Sequence, residues 1–180
     1  PEERRVVVTE RIFGENLLDF SYTKYPHLDR DQKIKLFTRF GRLALLDLVI
    51  GNGDRFFRIS KRRQEYSFEN AAEANLGNVM LVLRSGGEAP IVYAIDNAMD
   101  QDLVNDPSVQ AKYHEFLARI YSNPSLMIDE LSSNMTACMK VLVLPECLIG
   151  SSLQNRQKIK ECLASFNQDL DELGRVAFAE

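Results

Sequence analysis

The longest helical pattern of the chain covers residues 29–51. Apolar side chains recur there at helical spacing: Ile34, Phe37, Leu43, Leu46 and Ile50. Asp29 or Asp31 is suited to begin the helix, because a side-chain carboxylate can accept from free N–H groups of the first turn. The run Gly51-Asn52-Gly53 ends it, since glycine reaches backbone conformations closed to other residues. We therefore predict a long helix that stops abruptly.

A β-hairpin is predicted after this helix. Residues 78–84 and 91–96 are rich in β-formers, and Gly86-Gly87 between them is typical of a hairpin connection. Residues 58–75 are polar without a clean period, which predicts a loop or an insertion. Near the start, residues 6–8 predict a short strand, and residues 15–22 predict a short helix.

The second half of the chain predicts a loop through Pro107 and then three helices. The first has an amphipathic pattern: Val109, Tyr113, Phe116, Leu117 and Ile120. The second covers 125–143. Ser151 or Ser152 caps the third, whose apolar residues share one face: Ile159, Leu163, Phe166, Leu170 and Leu173. The predicted fold class is mainly α with a small β-hairpin (α+β).

Composition narrows the class of protein. The chain has 180 residues, of which 45% are hydrophobic and 27% charged, as expected for one globular domain. Its net charge of −4 argues against a general nucleic-acid binder. No apolar run approaches the roughly 20 residues that a membrane-spanning helix needs. Three cysteines without metal-site spacing (Cys138, Cys147 and Cys162) indicate thiols in a reducing, cytoplasmic compartment.

Three polar residues stand out against apolar surroundings. Asp54 follows the long helix, Asn78 begins the first hairpin strand, and Asp96 ends the second. A hairpin brings its own ends together, so Asn78 and Asp96 are expected to be close in space. Their oxygen atoms are suitable ligands for Mg²⁺. An Asp that orients a hydroxyl, with a downstream Asn and Asp on the metal, is the arrangement used for phosphoryl transfer.

The pattern IGNGDRF…NLGNVML…YAIDNAMD resembles the C-terminal lobe of an atypical protein-kinase-like fold, that of the actin-fragmin kinase family. It is more distantly similar to the phosphoinositide lipid kinases, which use Gly-x-x-Asp-Arg-His and Ile-Asp-Phe-Gly. The resemblance covers residues 5 to about 100. It implies ATP and Mg²⁺ or Mn²⁺ as cofactors, and transfer of the γ-phosphoryl group to a protein Ser or Thr hydroxyl. A cytoskeletal protein is the substrate class that it suggests.

The resemblance also implies a role for particular residues. Asp54 would be the catalytic aspartate. Because Arg55 is its neighbour, we also assign Arg55 to the catalytic residues, where it would pair with a carboxylate or order the loop. Asn78 and Asp96 would bind the metal. The backbone of a hinge would bind the nucleotide at three consecutive residues: Thr9, Glu10 and Arg11.

The resemblance divides the chain into four parts: a hinge strand at 1–12, the long helix at 29–51, catalytic and metal-binding loops with the hairpin at 51–100, and C-terminal helices at 106–180. Nothing before Val6 could form the small N-terminal lobe of a kinase. The implied partner is therefore an N-lobe segment of the same protein, which would complete the enzyme.

The chain also departs from the family pattern. Phe56 stands where the lipid kinases have His, and Asn97-Ala98 follow Asp96 in place of Phe-Gly. Twenty-four residues separate Asp54 from Asn78, against about five in typical protein kinases. Because loop closure costs little extra for a longer loop, we expect this insertion to loop out while its ends stay close.

Two alternatives remain open at this point. The same fold could phosphorylate a phosphoinositide or another small alcohol, although the acidic segment NAMDQDLVNDPS after Asp96 disfavours a lipid surface. The chain could instead be a pseudokinase or a helical interaction domain without catalysis. Taken singly, Asp54, Asn78 and Asp96 are also ordinary turn or cap residues; their order around the helix and hairpin favours the kinase.

Overall fold

The computed structural model describes residues 12–53, 55–57, 59–62, 65–68, 75–84, 86–95, 101–140 and 152–179. The fold is mainly helical with small antiparallel sheets, which confirms the predicted α+β class. Its helices are α1 Leu17–Thr23, α2 Arg30–Ile50, α3 Gln101–Asn105, α4 Pro107–Tyr121, α5 Pro124–Met139 and α6 Leu153–Leu173. Its strands are β1 Glu15–Asn16, β2 Ile59–Arg62, β3 Glu65–Phe68, β4 Val79–Val82 and β5 Ile91–Ala94. The kinase-like lobe and its four-part division stay predictions.

The long helix α2 begins and ends where the sequence predicts. Asp29 accepts from the N–H of Gln32, whose side chain in turn accepts from the N–H of Asp29, so the two form a capping box. Gly51 ends the helix with a φ of +73°, in the left-handed region that favours glycine. The prediction of a helix over 29–51 is therefore confirmed, with its first and last residues as caps.

Helix α2 forms the centre of the hydrophobic core. Five of its apolar side chains are fully buried: Leu36, Phe37, Phe40, Ala44 and Leu48. The C-terminal turn that contains Ala177 crosses it at Gly41, where a Cβ atom would lie 1.7 Å from the Ala177 carbonyl oxygen. Only glycine permits so close an approach of two backbones. The end of the chain therefore packs directly on the middle of α2.

The predicted central hairpin is present as β4 and β5. Val79 lies opposite Ala94, and the connection contains Gly86 and Gly87, both with positive φ. Strand β1 adds to the other edge of β4, so the three-stranded sheet has the order β1–β4–β5. The predicted helix over 15–22 begins two residues later, because Glu15 and Asn16 pair with β4. Residues 6–8 lie outside the described part of the chain.

The interpretation of residues 58–75 as a loop is wrong at Ile59–Arg62 and Glu65–Phe68, whereas the alternative of an insertion stays a prediction. Strands β2 and β3 form a second antiparallel hairpin, with Ile59 opposite Phe68. The Tyr66 ring lies edge-on to Tyr113 of α4, with centroids 5.0 Å apart. Most other residues of these strands are polar, which hid the alternation in the sequence. The hairpin is therefore stabilised by aromatic contacts with a distant helix.

The C-terminal helices agree with the sequence analysis apart from their starting point. The predicted loop through Pro107 is wrong at Gln101–Asn105, which form the short helix α3. Helices α4, α5 and α6 begin at side-chain caps: Asp106, Asn123 and Ser152. Helix α5 ends at Met139, earlier than predicted; residues 141–151 are not described. None of the helices in the described ranges is both long enough and apolar enough to cross a bilayer.

Candidate functional site

A buried arginine joins three segments of the chain. Arg55 is only 1% exposed, and its Nη1 donates to Asp47 Oδ1 in α2. Its Nε donates to the carbonyl oxygen of Asn78 at 3.1 Å, and its Nη2 donates to that of Ile95 at 3.0 Å. One guanidinium therefore holds together the end of the long helix, the entrance of β4 and the exit of β5. We call Asp47 and Arg55 the buried ion pair.

Asp47 is enclosed by the turn that ends α2. It is 0% exposed, and Asn52 contacts it twice: the side-chain amide donates to Asp47 Oδ1 at 3.2 Å, and the N–H donates to the Asp47 carbonyl at 2.8 Å. Asp47 Oδ2 has no hydrogen-bond partner in the described part of the chain. Burial raises the pKa of Asp47, while Arg55 and Asn52 act in the opposite direction.

The sequence analysis did not identify Asp47 as a site residue. The signal was present, because Asp47 is the single carboxylate in the apolar run LALLDLVI. A charged residue in the buried stripe of a helix requires a partner. The expectation that Arg55 pairs with a carboxylate is confirmed, and that carboxylate belongs to α2.

The two ends of the central hairpin meet at Asn78. The N–H of Ile95 donates to the Asn78 carbonyl at 3.0 Å, and the N–H of Asn78 donates to Asn75 at 2.9 Å. This confirms, for Asn78 and Ile95, the expectation that the hairpin brings its ends together. Asn78 is half-buried, and no hydrogen bond joins its side-chain amide to another described residue. Its amide oxygen is therefore available to a ligand.

The two ends of the predicted insertion lie close together, as expected. Arg55 and Asn78 are hydrogen-bonded although 23 residues separate them. Phe56, which replaces the His of the lipid kinases, is fully buried, and its ring centroid lies 5.8 Å from that of Phe40. Phe57 is also fully buried, with its centroid 5.2 Å from that of Phe68. Apolar packing therefore fixes the chain immediately after Arg55.

Several predicted site residues lie outside the described residues: Thr9, Glu10, Arg11, Asp54 and Asp96. Their roles stay predictions. Within the described ranges, no group of three or more His, Cys, Asp and Glu side chains is placed to hold a metal ion. Of the two predicted metal ligands, Asn78 and Asp96, the described ranges include Asn78.

A cleft of about 350 Å³ lies beside the three-stranded sheet. Phe13 and Glu15 line one side of it, and Leu81 to Leu83 at the end of β4 line the other. Phe13 and Leu83 are exposed. The cleft therefore offers apolar side chains next in sequence to the predicted hinge residues.

The chain was also compared with known proteins. It matches no protein family, no curated protein and no solved structure. The resemblance to actin-fragmin kinases accordingly stays a prediction from the residue pattern.

Proposed function

We propose that this chain carries the catalytic and metal-binding segments of an atypical ATP-dependent kinase that phosphorylates Ser or Thr hydroxyls of a protein. The observation that carries the proposal is the arrangement around Arg55. Asp54 precedes this arginine, the Asn78 carbonyl accepts from it, and Asp96 follows Ile95, whose carbonyl also accepts from it. Arg55 therefore follows one predicted site residue in the sequence, binds the backbone of a second and binds the residue before the third.

In the proposed reaction, each polar residue has a separate task. Asp54 orients the substrate hydroxyl and accepts its proton as the γ-phosphoryl group is transferred. Asn78 and Asp96 supply oxygen ligands of the kind that Mg²⁺ or Mn²⁺ takes. The unpartnered amide of Asn78 among the described residues fits this role. When bound, the metal neutralises negative charge on the phosphoryl oxygens.

The nucleotide would bind beside the three-stranded sheet. Thr9, Glu10 and Arg11 precede Phe13, so the proposal assigns the adenine to the cleft between Phe13 and the end of β4. Phe13 is three-quarters exposed on this surface. A small lobe of the same protein would cover the cleft and complete the enzyme.

The test is phosphoryl transfer by the natural full-length protein that contains this sequence. It is incubated with labelled ATP, Mg²⁺ or Mn²⁺ and a cell lysate, and the products are separated into protein and lipid. We expect label on protein that is lost in Asp54→Ala and Asp96→Ala. The control is Glu115→Gln, an exposed carboxylate of α4, which should retain full transfer. Unchanged transfer by Asp54→Asn would refute the proposal.

The same experiment separates the alternative functions. Label in the lipid fraction alone would assign a phosphoinositide or small-alcohol kinase. Asp102 and Asp106, which follow the metal-binding segment, are both exposed and would repel an anionic lipid surface. No label, together with no rise in melting temperature on adding Mg²⁺ and ATP, would indicate a pseudokinase or a helical interaction domain.

A further inference from the structure

Stability alone does not explain why Asp47 of α2 forms a buried ion pair with Arg55. Asp47 and Arg55 are 0% and 1% exposed, so both charges have lost their hydration. Replacing such a pair by apolar residues of similar volume is often neutral or stabilising. Apart from Thr38, the other buried side chains of α2 are apolar: Leu36, Phe37, Phe40, Ala44 and Leu48. A role beyond packing is therefore expected for this pair.

The pair acts on the backbone of two other segments. A guanidinium is planar and presents five N–H donors in a fixed fork, unlike the single point charge of lysine. Arg55 uses this fork for Asp47, for the Asn78 carbonyl and for the Ile95 carbonyl. Because α2 is long and capped at both ends, Asp47 holds the Arg55 guanidinium in a fixed position relative to the helix. The carbonyl groups are then positioned relative to α2.

The Asn78 carbonyl has a second donor, the N–H of Ile95 at 3.0 Å. Arg55 and Ile95 therefore converge on the same carbonyl oxygen, and Arg55 also binds the carbonyl of Ile95 itself. These bonds close the hairpin at the end where Asn78 lies, and Asp96 follows Ile95 in the sequence. A shift of the Arg55 guanidinium would change the distance between the two strands at this end of the hairpin.

We infer that Asp47 is a positioning residue: through Arg55 it fixes the distance between the segments of Asn78 and Ile95, and so sets the affinity of the site for Mg²⁺. The inference rests on the proposed function for its metal. Asp47 itself lies in the core and does not contact the substrate. Residues that orient metal ligands typically change metal affinity by roughly 10- to 100-fold when they are mutated.

Two variants of the full-length protein test the inference. Asp47→Leu/Arg55→Met removes both charges together, so neither is left buried alone. Arg55→Lys keeps the positive charge but loses the planar set of N–H donors. This variant provides the test if the double variant does not fold. Two quantities are measured for each: the backbone hydrogen-exchange rate of Ile95, and the Mg²⁺ concentration that gives half-maximal phosphoryl transfer.

We expect both variants to exchange the Ile95 amide faster and to need about 10-fold or more Mg²⁺. The matched control is Lys33→Met/Asp169→Asn, which removes the ion pair between α2 and α6. It should change neither quantity, even where it lowers the melting temperature. A purely structural role of the buried pair would speed Ile95 exchange only as far as stability falls, and would leave the Mg²⁺ requirement at the wild-type value.

The outcomes distinguish the two proposals. Wild-type Ile95 exchange and Mg²⁺ requirement in both variants would overturn the inference. Absence of transfer by the wild-type protein would refute the proposed function, and the metal dependence with it. In that case Ile95 exchange, compared with the control variant at an equal loss of stability, still decides the positioning role, because it needs no nucleotide or metal.

Discussion

Helix α2 is held by a charged contact near each end, and the two contacts differ in what they join. Near its start, Lys33 binds Asp169 of α6 at 2.7 Å, and Tyr25 donates to the same carboxylate at 2.8 Å. Near its end, Asp47 binds Arg55. The first contact connects the side chains of two helices, α2 and α6. The second connects the helix to backbone carbonyls at the ends of a hairpin.

Their burial differs as well. Lys33 and Asp169 side chains are each 17% exposed, so water still screens the attraction between them. Asp47 and Arg55 are almost completely excluded from water. The partly exposed pair of Lys33 and Asp169 contributes modestly to stability. Loss of either partner of the buried ion pair would leave an unpaired charge in the core, which is strongly destabilising. Burial and backbone contacts therefore distinguish the C-terminal end of α2 from its N-terminal end.

The largest effect is expected for Arg55→Met. It leaves the Asp47 carboxylate buried without its cation, and removes the donors to Asn78 and Ile95. We expect a loss of about 3–5 kcal/mol in the free energy of unfolding, measured by chemical denaturation. The control is Arg175→Met, which breaks an exposed pair with Asp129 and should cost less than about 1 kcal/mol. Equal losses would show that burial does not distinguish them.

A smaller loss is expected at the other end of α2, from Asp169→Ala. This change leaves the buried hydroxyl of Tyr25 without its acceptor, at a cost of about 1–3 kcal/mol. Asp169→Asn retains an amide oxygen that can accept from Tyr25, so it should recover part of the loss. Denaturation curves for both variants provide the measurement. A cost above that of Arg55→Met would reverse the ranking of the two ends.

The turn between Asp47 and Arg55 can be tested with Gly51→Ala. An alanine at a φ of +73° is strained, which costs about 1–2 kcal/mol. The added Cβ would also lie 2.2 Å from Leu103 Cδ1. Gly77→Ala is the control, since Gly77 does not have a positive φ. Equal thermal stability of the two variants would exclude a special role for the left-handed cap.

The smallest effect is a pH dependence at Tyr25. Burial, followed by its hydrogen bond to Asp169, raises the pKa of Tyr25 above that of an unfolded tyrosine. The hydroxyl therefore keeps its proton in the folded state while the unfolded chain ionises, and stability falls as pH rises above about 10. The advantage of the wild type over Tyr25→Phe should shrink by about 1 kcal/mol at roughly pH 10.5. A constant difference between pH 8 and this value would contradict the shift.

The sequence by itself determined the elements that depend on neighbours along the chain. The limits of α2 follow from Asp29 and Gly51, which act within one turn of the helix. The central hairpin follows from the β-formers of 78–84 and 91–96 and from Gly86-Gly87, and the faces of α4 and α6 follow from their period. These elements can be predicted from the sequence alone, because they depend on the spacing of residues that are close along the chain.

Only the tertiary structure decided which distant groups meet. Tyr66 packs on Tyr113 of α4, and this contact stabilises a hairpin in a segment predicted to be a loop or an insertion. Asp47 binds Arg55, which extends to Asn78 and Ile95. The sequence indicated that Arg55 pairs with a carboxylate but not with which one, because the chain contains many acidic residues. Burial selects the partner, since only a carboxylate enclosed with the arginine can neutralise it away from water.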